Sequence, residues 1–233
     1  MGIHKKLYLS LPLYIFSAVA PFIMRYNSPK NLALVSFVAG VVYLIYLYGV
    51  IVISGGRFDF NEALTMYSMS VYIIASFLSL LFVRDFKNIG QYIYLLIFIG
   101  AWSTDIFAYF TGRFLGKHKL AKDISPKKTV EGSIGGIVFC AISYAVFGFI
   151  MDKYFEADSN ILLLVISGVV ISVISQVGDL IMSAIKRRYN IKDYGKIFPG
   201  HGGVLDRFDS ILSVSLGFAA LCVVVELIGI NII

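Results

Sequence analysis

The segment ILLLVISGVVISVISQVGDLIM, residues Ile161–Met182, decides the fold class. It contains one ionisable side chain, Asp179, in a run that is otherwise apolar, small or uncharged. About 20 such residues are enough to cross the hydrocarbon core of a bilayer. Because that core offers no water to backbone N–H and C=O groups, a segment crossing it must satisfy them internally as a helix. We therefore predict a transmembrane α-helix here.

Similar apolar segments occur along the whole chain. In sequence order they are Leu7–Met24, Leu32–Ser54, Leu64–Val83, Gln91–Phe110, Ser133–Met151, Ile161–Met182 and Phe208–Ile230. Hydrophobic residues make up 58% of the 233 residues and charged residues 15%, against about 25% charged in soluble domains. This composition excludes a disordered chain, a fibrous protein and an ordinary cytosolic enzyme. We predict an all-α integral membrane protein, a multi-pass helical bundle of about seven transmembrane helices.

The basic residues are distributed unequally between the two sides of the membrane. If the amino terminus is cytoplasmic, 15 of the 20 Lys and Arg residues lie on the cytoplasmic side, as the positive-inside rule requires. Twelve of these lie in two loops, 113–132 and 183–209. Their basic residues lack the neighbouring aromatic platforms typical of nucleic-acid binding, so we expect no nucleic-acid partner. We expect an active site at the cytoplasmic face, formed by these two loops.

Ionisable side chains inside membrane spans are costly and usually functional. Apart from Asp209, at the very start of the last span, the predicted spans contain Asp105, Asp179 and Glu226. We interpret Asp179 as a metal or substrate ligand, with a hydrogen-bonded structural acid as the alternative. Asp105 is interpreted as functional too, although Trp102 and Tyr109 on the same helical face could hold it in a packing role. Glu226 lies near the far end of its span and is not a candidate.

The first basic loop ends in SPKKTVEG, residues 125–132, and continues into a glycine-rich segment. Lys127 and Lys128 are flanked by the hydroxyl residues Ser125 and Thr129. Ammonium groups, hydroxyls and the N–H groups of a helix amino terminus together suit a polyphosphate. We interpret these four residues as substrate ligands, and a purely structural helix start is the alternative.

The second basic loop contains two carboxylates, Asp206 and Asp209. Their spacing allows both to face one side of a helix. Together with Asp179 they form an all-oxygen set, which suits Mg²⁺ or Mn²⁺ and argues against zinc. We therefore predict a metal site on Asp179, Asp206 and Asp209.

The same loop contains the turn Pro199-Gly-His-Gly-Gly. Its glycines, including Gly202 and Gly203, allow backbone N–H groups to approach an anion closely. Cations, hydroxyls, carboxylates and exposed N–H groups at a membrane surface indicate phosphoryl or nucleotidyl transfer to a lipid, a reaction that needs mainly positioning and charge neutralisation.

This loop resembles the signature of the phosphatidate cytidylyltransferase family, also called CDP-diacylglycerol synthase. The matching positions are Ser183, Ile185-Lys186-Arg187, Lys192-Asp193, Gly195, Phe198-Pro199, His201-Gly202-Gly203-Val204 and Asp206-Arg207-Phe208-Asp209. Trp102–Gly116 and Ser125–Gly136 are similar to two earlier motifs of the family, so the resemblance covers Gln91–Gly217. We divide the chain accordingly into residues 1–90, transmembrane helices without a recognisable motif, and residues 91–233, a catalytic transmembrane region.

The resemblance implies CTP and phosphatidate as substrates and CDP-diacylglycerol and pyrophosphate as products. It also implies Mg²⁺ and a monovalent cation such as K⁺ as cofactors, and a homodimer in a bacterial-type cell (inner) membrane. Asp179 and Asp206 would be the metal-binding carboxylates. Because family members often have more spans, we expect about seven to nine transmembrane helices.

The resemblance also assigns roles. Phosphatidate carries a phosphate monoester whose second pKa is about 6, so it is largely dianionic at neutral pH and needs no strong general base. We expect His201 to shape the turn or to donate to a phosphate, with a role as base as the alternative.

The predicted catalytic residues are Asp179, Lys186, Arg187, Lys192, Asp193, His201, Asp206, Arg207 and Asp209. The predicted CTP-binding residues are Asp105, Ser125, Lys127, Lys128, Thr129, Ser183, Gly202 and Gly203. Lys192 and Asp193 could instead form a local ion pair.

Other functions stay open on the sequence alone. The lipid substrate could be an isoprenoid ether lipid phosphate, or the enzyme could be a CTP-dependent polyprenol kinase. A channel or transporter would need charges near the bilayer midplane, whereas the strong candidates lie at one surface. A lipid-binding scaffold without activity would have no need of the carboxylate set.

The orientation can be tested with single cysteines that replace Lys119 and Lys196, one in each basic loop. In intact cells both should react with a membrane-permeant maleimide and not with an impermeant one, because both loops are predicted to be cytoplasmic. A cysteine at Lys153, predicted to lie on the other side, serves as the control and should react with both reagents. Reaction of the two loop cysteines with the impermeant reagent would reverse the predicted orientation.

Overall fold

The computed structural model describes residues 7–26, 29–55, 58–86, 90–197, 202–229 and 232. The helices are α1 Leu7–Tyr26, α2 Pro29–Ile53, α3 Phe60–Arg84, α4 Gly90–Ile93, α5 Leu95–Leu115, α6 Val130–Phe155, α7 Ile161–Arg188 and α8 Leu205–Ile228. Two strands, β1 Lys119–Ala121 and β2 Ser125–Thr129, lie between α5 and α6. The chain divides into two compact units, residues 1–75 and 76–233.

Among the described residues, six helices are long and apolar enough to cross a membrane. They cover Leu34–Ile53, Phe60–Arg84, Gly90–Leu115, Val130–Phe155, Ile161–Arg188 and Leu205–Ile228. A shorter apolar helix covers Tyr8–Val19, within the first predicted span. The prediction of an all-α, multi-pass membrane fold with about seven helices is therefore confirmed.

The unit of residues 1–75 contains α1, α2 and the first part of α3. Its core consists of nearly fully buried side chains, namely Leu9, Tyr43, Leu47, Phe58 and Ala63. The hydroxyl of Tyr46 donates to the carbonyl of Tyr8 at 2.8 Å, which joins α2 to α1. The residues predicted to carry the chemistry all lie in the other unit.

In the unit of residues 76–233, hydroxyl groups join the helices inside an otherwise apolar core. Thr104 of α5 donates to Ser172 of α7 through their hydroxyls at 2.9 Å, and both side chains are fully buried. The buried Tyr144 of α6 donates its hydroxyl to the carbonyl of Leu96 in α5 at 2.8 Å. In lipid, where apolar contact between helices gains little, small residues and interhelical hydrogen bonds supply the packing.

The strands β1 and β2 form an antiparallel hairpin that the sequence did not predict. The hairpin ends where α6 begins, because the side chain of Thr129 accepts the N–H of Gly132 at 3.1 Å and caps the helix. Glu131, in the first turn of α6, accepts the N–H groups of Lys117 at 3.1 Å and His118 at 3.2 Å. The base of the hairpin is thus fixed to the amino terminus of α6.

Helices α7 and α8 approach each other closely at Gly178. A Cβ atom at this position would overlap the side chain of Ser213 in α8. Glycine therefore permits a contact that brings the following residue, Asp179, next to the start of α8.

The substitution Gly178→Ala should lower the thermal midpoint of the detergent-solubilised protein, because the added methyl group cannot be accommodated beside buried Ser213. Overpacking of this kind costs about 1–3 kcal/mol. Gly49→Ala is the matched control, because nothing lies within 4 Å of a Cβ atom there. That control should keep or slightly raise the midpoint. An unchanged midpoint for Gly178→Ala would show that the contact does not limit stability.

Candidate functional site

The two basic loops meet at one end of the unit of residues 76–233. Arg187, at the end of α7, donates from Nε to the carbonyl of Ile124 in the hairpin turn at 3.3 Å. Lys128 of β2 forms an ion pair with Asp179 of α7. The predicted substrate-binding residues of the first loop therefore lie next to the predicted catalytic residues of α7.

Three carboxylates from three helices come together at this end: Asp105 of α5, Asp179 of α7 and Asp209 of α8. We call them the acidic cluster. Asp105 and Asp209 each lie within electrostatic range of Asp179, and Asp209 also within range of Asp105. The hydroxyl of Ser210 donates to Oδ2 of Asp105 at 2.9 Å. Because like charges repel strongly in surroundings of low dielectric constant, cations beside the acidic cluster stabilise its charged form.

Lys128 supplies one such cation. Its Nζ pairs with Oδ2 of Asp179, and the two side chains are 25% and 21% exposed. It also lies within electrostatic range of Asp105. The neighbouring Lys127 is exposed, because successive residues of a strand point to opposite sides. Two adjacent lysines that look equivalent in the sequence therefore have different surroundings.

A second ion pair joins α7 to the start of α8. The Nζ of Lys186 lies 3.1 Å from Oδ1 of Asp206, and the side chains are 11% and 5% exposed. The other carboxylate oxygen accepts the N–H groups of Tyr194 at 2.8 Å and Gly203 at 2.9 Å. With both oxygens engaged, Asp206 holds the connection between α7 and α8 in place. The N–H of Gly203, predicted to bind an anion, is donated to this carboxylate instead.

Tyr194 is a member of the site that the sequence reasoning missed. Its hydroxyl donates to the carbonyl of Met182 in α7 at 2.9 Å. The Nζ of Lys186 lies 5.4 Å from the centroid of its ring, a cation–π contact. Tyr194 thus attaches the segment that follows α7 to that helix, and it holds Lys186 beside Asp206. No sequence pattern singled it out, because these contacts depend on how the connection folds back over α7.

The carboxylates at this end fit a divalent cation of the Mg²⁺ type by their chemistry. All donors are hard oxygen atoms. Counted at their formal charges, the four carboxylates and the two lysines that pair with Asp179 and Asp206 sum to −2, a sign that suits a divalent cation. In the part of the chain that the structure describes, however, no three His, Cys, Asp or Glu side chains stand as a group ready to hold a metal. Asp206 is engaged by Lys186, whereas Asp179 and Asp209 lie in the acidic cluster, so the metal set of these three aspartates stays a prediction.

Comparison with known proteins identifies the family. A family model described as the cytidylyltransferase family matches residues 2–225 of the chain. The chain belongs to the cytidylyltransferase family.

Its bacterial relatives include three proteins named phosphatidate cytidylyltransferase. The one from Staphylococcus haemolyticus is 38% identical over 205 residues, which cover 86% of this chain and 75% of the relative. The one from Staphylococcus epidermidis is 35% identical over 208 residues, 89% of this chain and 77% of the relative. The one from Bacillus subtilis is 39% identical over 173 residues, 74% of this chain and 62% of the relative.

Several other predicted residues of this cytidylyltransferase lie around the two ion pairs. Ser183 follows Asp179 by one helical turn and is half-buried, as is Ser125 at the start of β2. Thr129 is buried and its hydroxyl caps α6, which supports the structural alternative for this residue. Exposed at the surface are Lys127, Arg187, Lys192, Asp193 and Arg207. Their exposure leaves them accessible to a nucleotide.

The surroundings of Asp105 bear on the alternative packing role of that residue. Trp102 and Tyr109, the aromatic residues that could have held it, are 57% and 59% exposed. The hydroxyl of Tyr109 accepts from Arg113 at 2.9 Å. The hydrogen bond that Asp105 receives comes from Ser210 of α8, so Asp105 belongs to the acidic cluster. His201, with Pro199 and Gly200, lies outside the described residues, and its role stays a prediction.

The substitution Asp206→Asn tests whether this carboxylate holds the connection between α7 and α8. Loss of the charge removes the ion pair with Lys186 and weakens the two backbone hydrogen bonds, which should ease local opening by about 1–3 kcal/mol. Trypsin should then cleave faster after Lys192 and Lys196. Asp158→Asn, an exposed carboxylate between α6 and α7, is the control and should leave the rate unchanged. Equal cleavage of both variants would remove Asp206 from this role.

Proposed function

We propose that this cytidylyltransferase transfers the cytidylyl group of CTP to phosphatidate, forming CDP-diacylglycerol and pyrophosphate. The observation that carries the proposal is the meeting of Lys128 and Lys186 with the acidic cluster at the ends of membrane-spanning helices. Cations suited to phosphates and carboxylates suited to a metal therefore lie together where a lipid head group can reach them. The names of the relatives support the same pair of substrates.

In the proposed reaction a phosphate oxygen of phosphatidate attacks the α-phosphorus of CTP. The bond from that phosphorus to the α,β-bridging oxygen breaks, and pyrophosphate leaves with the electron pair. Because the attacking monoester, with its second pKa of about 6, is already largely dianionic at neutral pH, no residue has to remove a proton. The task of the protein is to position the two substrates and to neutralise their charge.

The side chains of the site divide this task. Lys127 and Arg187 are exposed at the same end of the unit and would bind the triphosphate tail. Asp179 and Asp209, with Asp105, would hold Mg²⁺, and the family resemblance adds Asp206. What a bound divalent cation supplies is neutralisation of phosphate charge at the reacting phosphorus and on the leaving group.

The proposed enzyme lies in the bacterial cell (inner) membrane with its site at the cytoplasmic face. The excess of Lys and Arg in the two loops supports this orientation. A homodimer and a monovalent cation such as K⁺ beside Mg²⁺ complete the proposal, and both rest on the family resemblance.

The activity can be tested with purified protein, phosphatidate in mixed micelles, and CTP labelled in either its α- or its γ-phosphate. Label from α-labelled CTP should enter the lipid, and label from γ-labelled CTP should appear in pyrophosphate. Chelation with EDTA should abolish both, and Mg²⁺ should restore them. Transfer of the γ-label to lipid would instead indicate a kinase, and absence of lipid labelling would refute the proposal.

Two variants serve as a matched pair in this assay. Asp179→Asn should lower kcat by about 100-fold or more, as loss of a central electrostatic group does. Glu226→Gln removes an acid from the far end of α8, exposed in the structure, and should retain activity. Equal loss in both variants would indicate a general defect in folding.

A further inference from the structure

Lys128 forms an ion pair with a carboxylate that is proposed to bind the metal. Its ammonium group pairs with Oδ2 of Asp179, one of the three carboxylates of the acidic cluster. Asp105 and Asp209 both lie within electrostatic range of this carboxylate and of each other, so negative charge is concentrated at the acidic cluster. A divalent cation that binds this carboxylate places further positive charge beside the ammonium group, so the cation and the ammonium group compete for the same negative charge.

The two lysines of the site differ in how firmly they are held. Lys186 is 11% exposed, and it is fixed by Asp206 and by the ring of Tyr194. Lys128 is 25% exposed, and the contact that the structure gives its ammonium group is the one to Asp179. Lys128 is thus the lysine that a competing cation can displace.

Displacement of Lys128 does not require the hairpin to move. The backbone at the base of the hairpin is fixed by the cap at Thr129 and by the bonds that Glu131 accepts. A lysine ammonium sits on a flexible four-carbon stem, so rotation of the side chain alone can carry it several ångströms. The partial exposure of Lys128 leaves its ammonium group a route out of the acidic cluster toward solvent, where a phosphate group of the nucleotide can meet it.

We propose that Lys128 holds the place of the divalent cation at Asp179 and passes to a phosphate group of the nucleotide when the cation binds. This inference rests on the proposed function. It explains how part of the negative charge of the acidic cluster is compensated before substrates arrive, and it couples the two ligands. The cation releases the ammonium group that the nucleotide needs, and the nucleotide keeps that group away from Asp179.

The test measures the reactivity of each lysine in the wild-type protein by trace acylation with acetic anhydride and mass spectrometry. Mg²⁺ alone should raise the acylation of Lys128 by about fivefold or more, since an ion pair worth about 1 kcal/mol is lost. CTP added with Mg²⁺ should lower it again. Lys127, on the same strand and often in the same peptide, is the internal control and should not respond to Mg²⁺ alone.

The variant Asp179→Asn should show high acylation of Lys128 without Mg²⁺ and no further rise with it. Binding of the cation is followed independently through the loss of the electron paramagnetic resonance signal of free Mn²⁺. Protection of Lys128 while Mn²⁺ is bound would overturn the inference. An equal rise at Lys127, which indicates opening of the whole hairpin, would do the same, as would an absence of Mn²⁺ binding.

The liponucleotide assay on the same preparation separates the two proposals. If product forms while Lys128 stays protected in Mg²⁺, the exchange is wrong and the proposed function stands. If Lys128 responds to Mg²⁺ and CTP but no liponucleotide forms, the proposed function is wrong and the exchange stands.

Discussion

A carboxylate on a membrane-spanning helix is costly unless a cation or a hydrogen-bond donor lies beside it, because the surrounding lipid cannot solvate the charge. Asp179 meets this condition through Lys128, which reaches it from a hairpin outside the helices. Asp206, at the start of α8, meets it through Lys186. The two basic loops therefore stabilise the fold even when no substrate is bound. Without them the acidic cluster would be a concentration of like charge with no compensation.

The acidic cluster also depends on how closely the helices pack. Asp179 and Asp209 belong to different helices, and they come together because Gly178 lets α7 approach α8 at Ser213. Ser210 then places its hydroxyl against Asp105 of α5. Small residues, usually read as a requirement of packing in lipid, here bring together carboxylates from three helices. Packing and chemistry are thus specified by the same short segments.

Much of this arrangement could be predicted from the sequence, because hydropathy and charge act locally. The apolar segments predicted the spans, since a span needs only length and composition. The two basic loops were identified by their concentration of Lys and Arg. Asp179 was selected as a candidate because it is an acidic residue within an apolar span. By contrast, the bond from Ser210 to Asp105 joins residues 105 positions apart. Such a pairing depends on which helix faces which, and no pattern along a single segment reports it.

The hairpin of β1 and β2 could not be predicted from the sequence either. Its strands have three and five residues, too few for a periodic pattern to be recognised. Tyr194 and Glu131 were missed for a related reason, since both act by accepting or donating at backbone groups that only the folded loops bring near. What could be predicted was the residue types that phosphate binding needs. What could not be predicted was which member of each set faces the acidic cluster.

The five residues SPKKT, 125–129, illustrate how local folding settles that question. Pro126 has no N–H group to donate and disfavours a helix, but it is compatible with a strand at the edge of a sheet. In the resulting strand, adjacent side chains point to opposite sides, so Lys128 turns toward Asp179 while Lys127 is exposed. Thr129 then ends the strand by capping α6. A helix would have placed the two lysines only about 100° apart around its axis. The hairpin therefore does more than connect two spans: it separates two identical cations into one that compensates the acidic cluster and one that is accessible from outside.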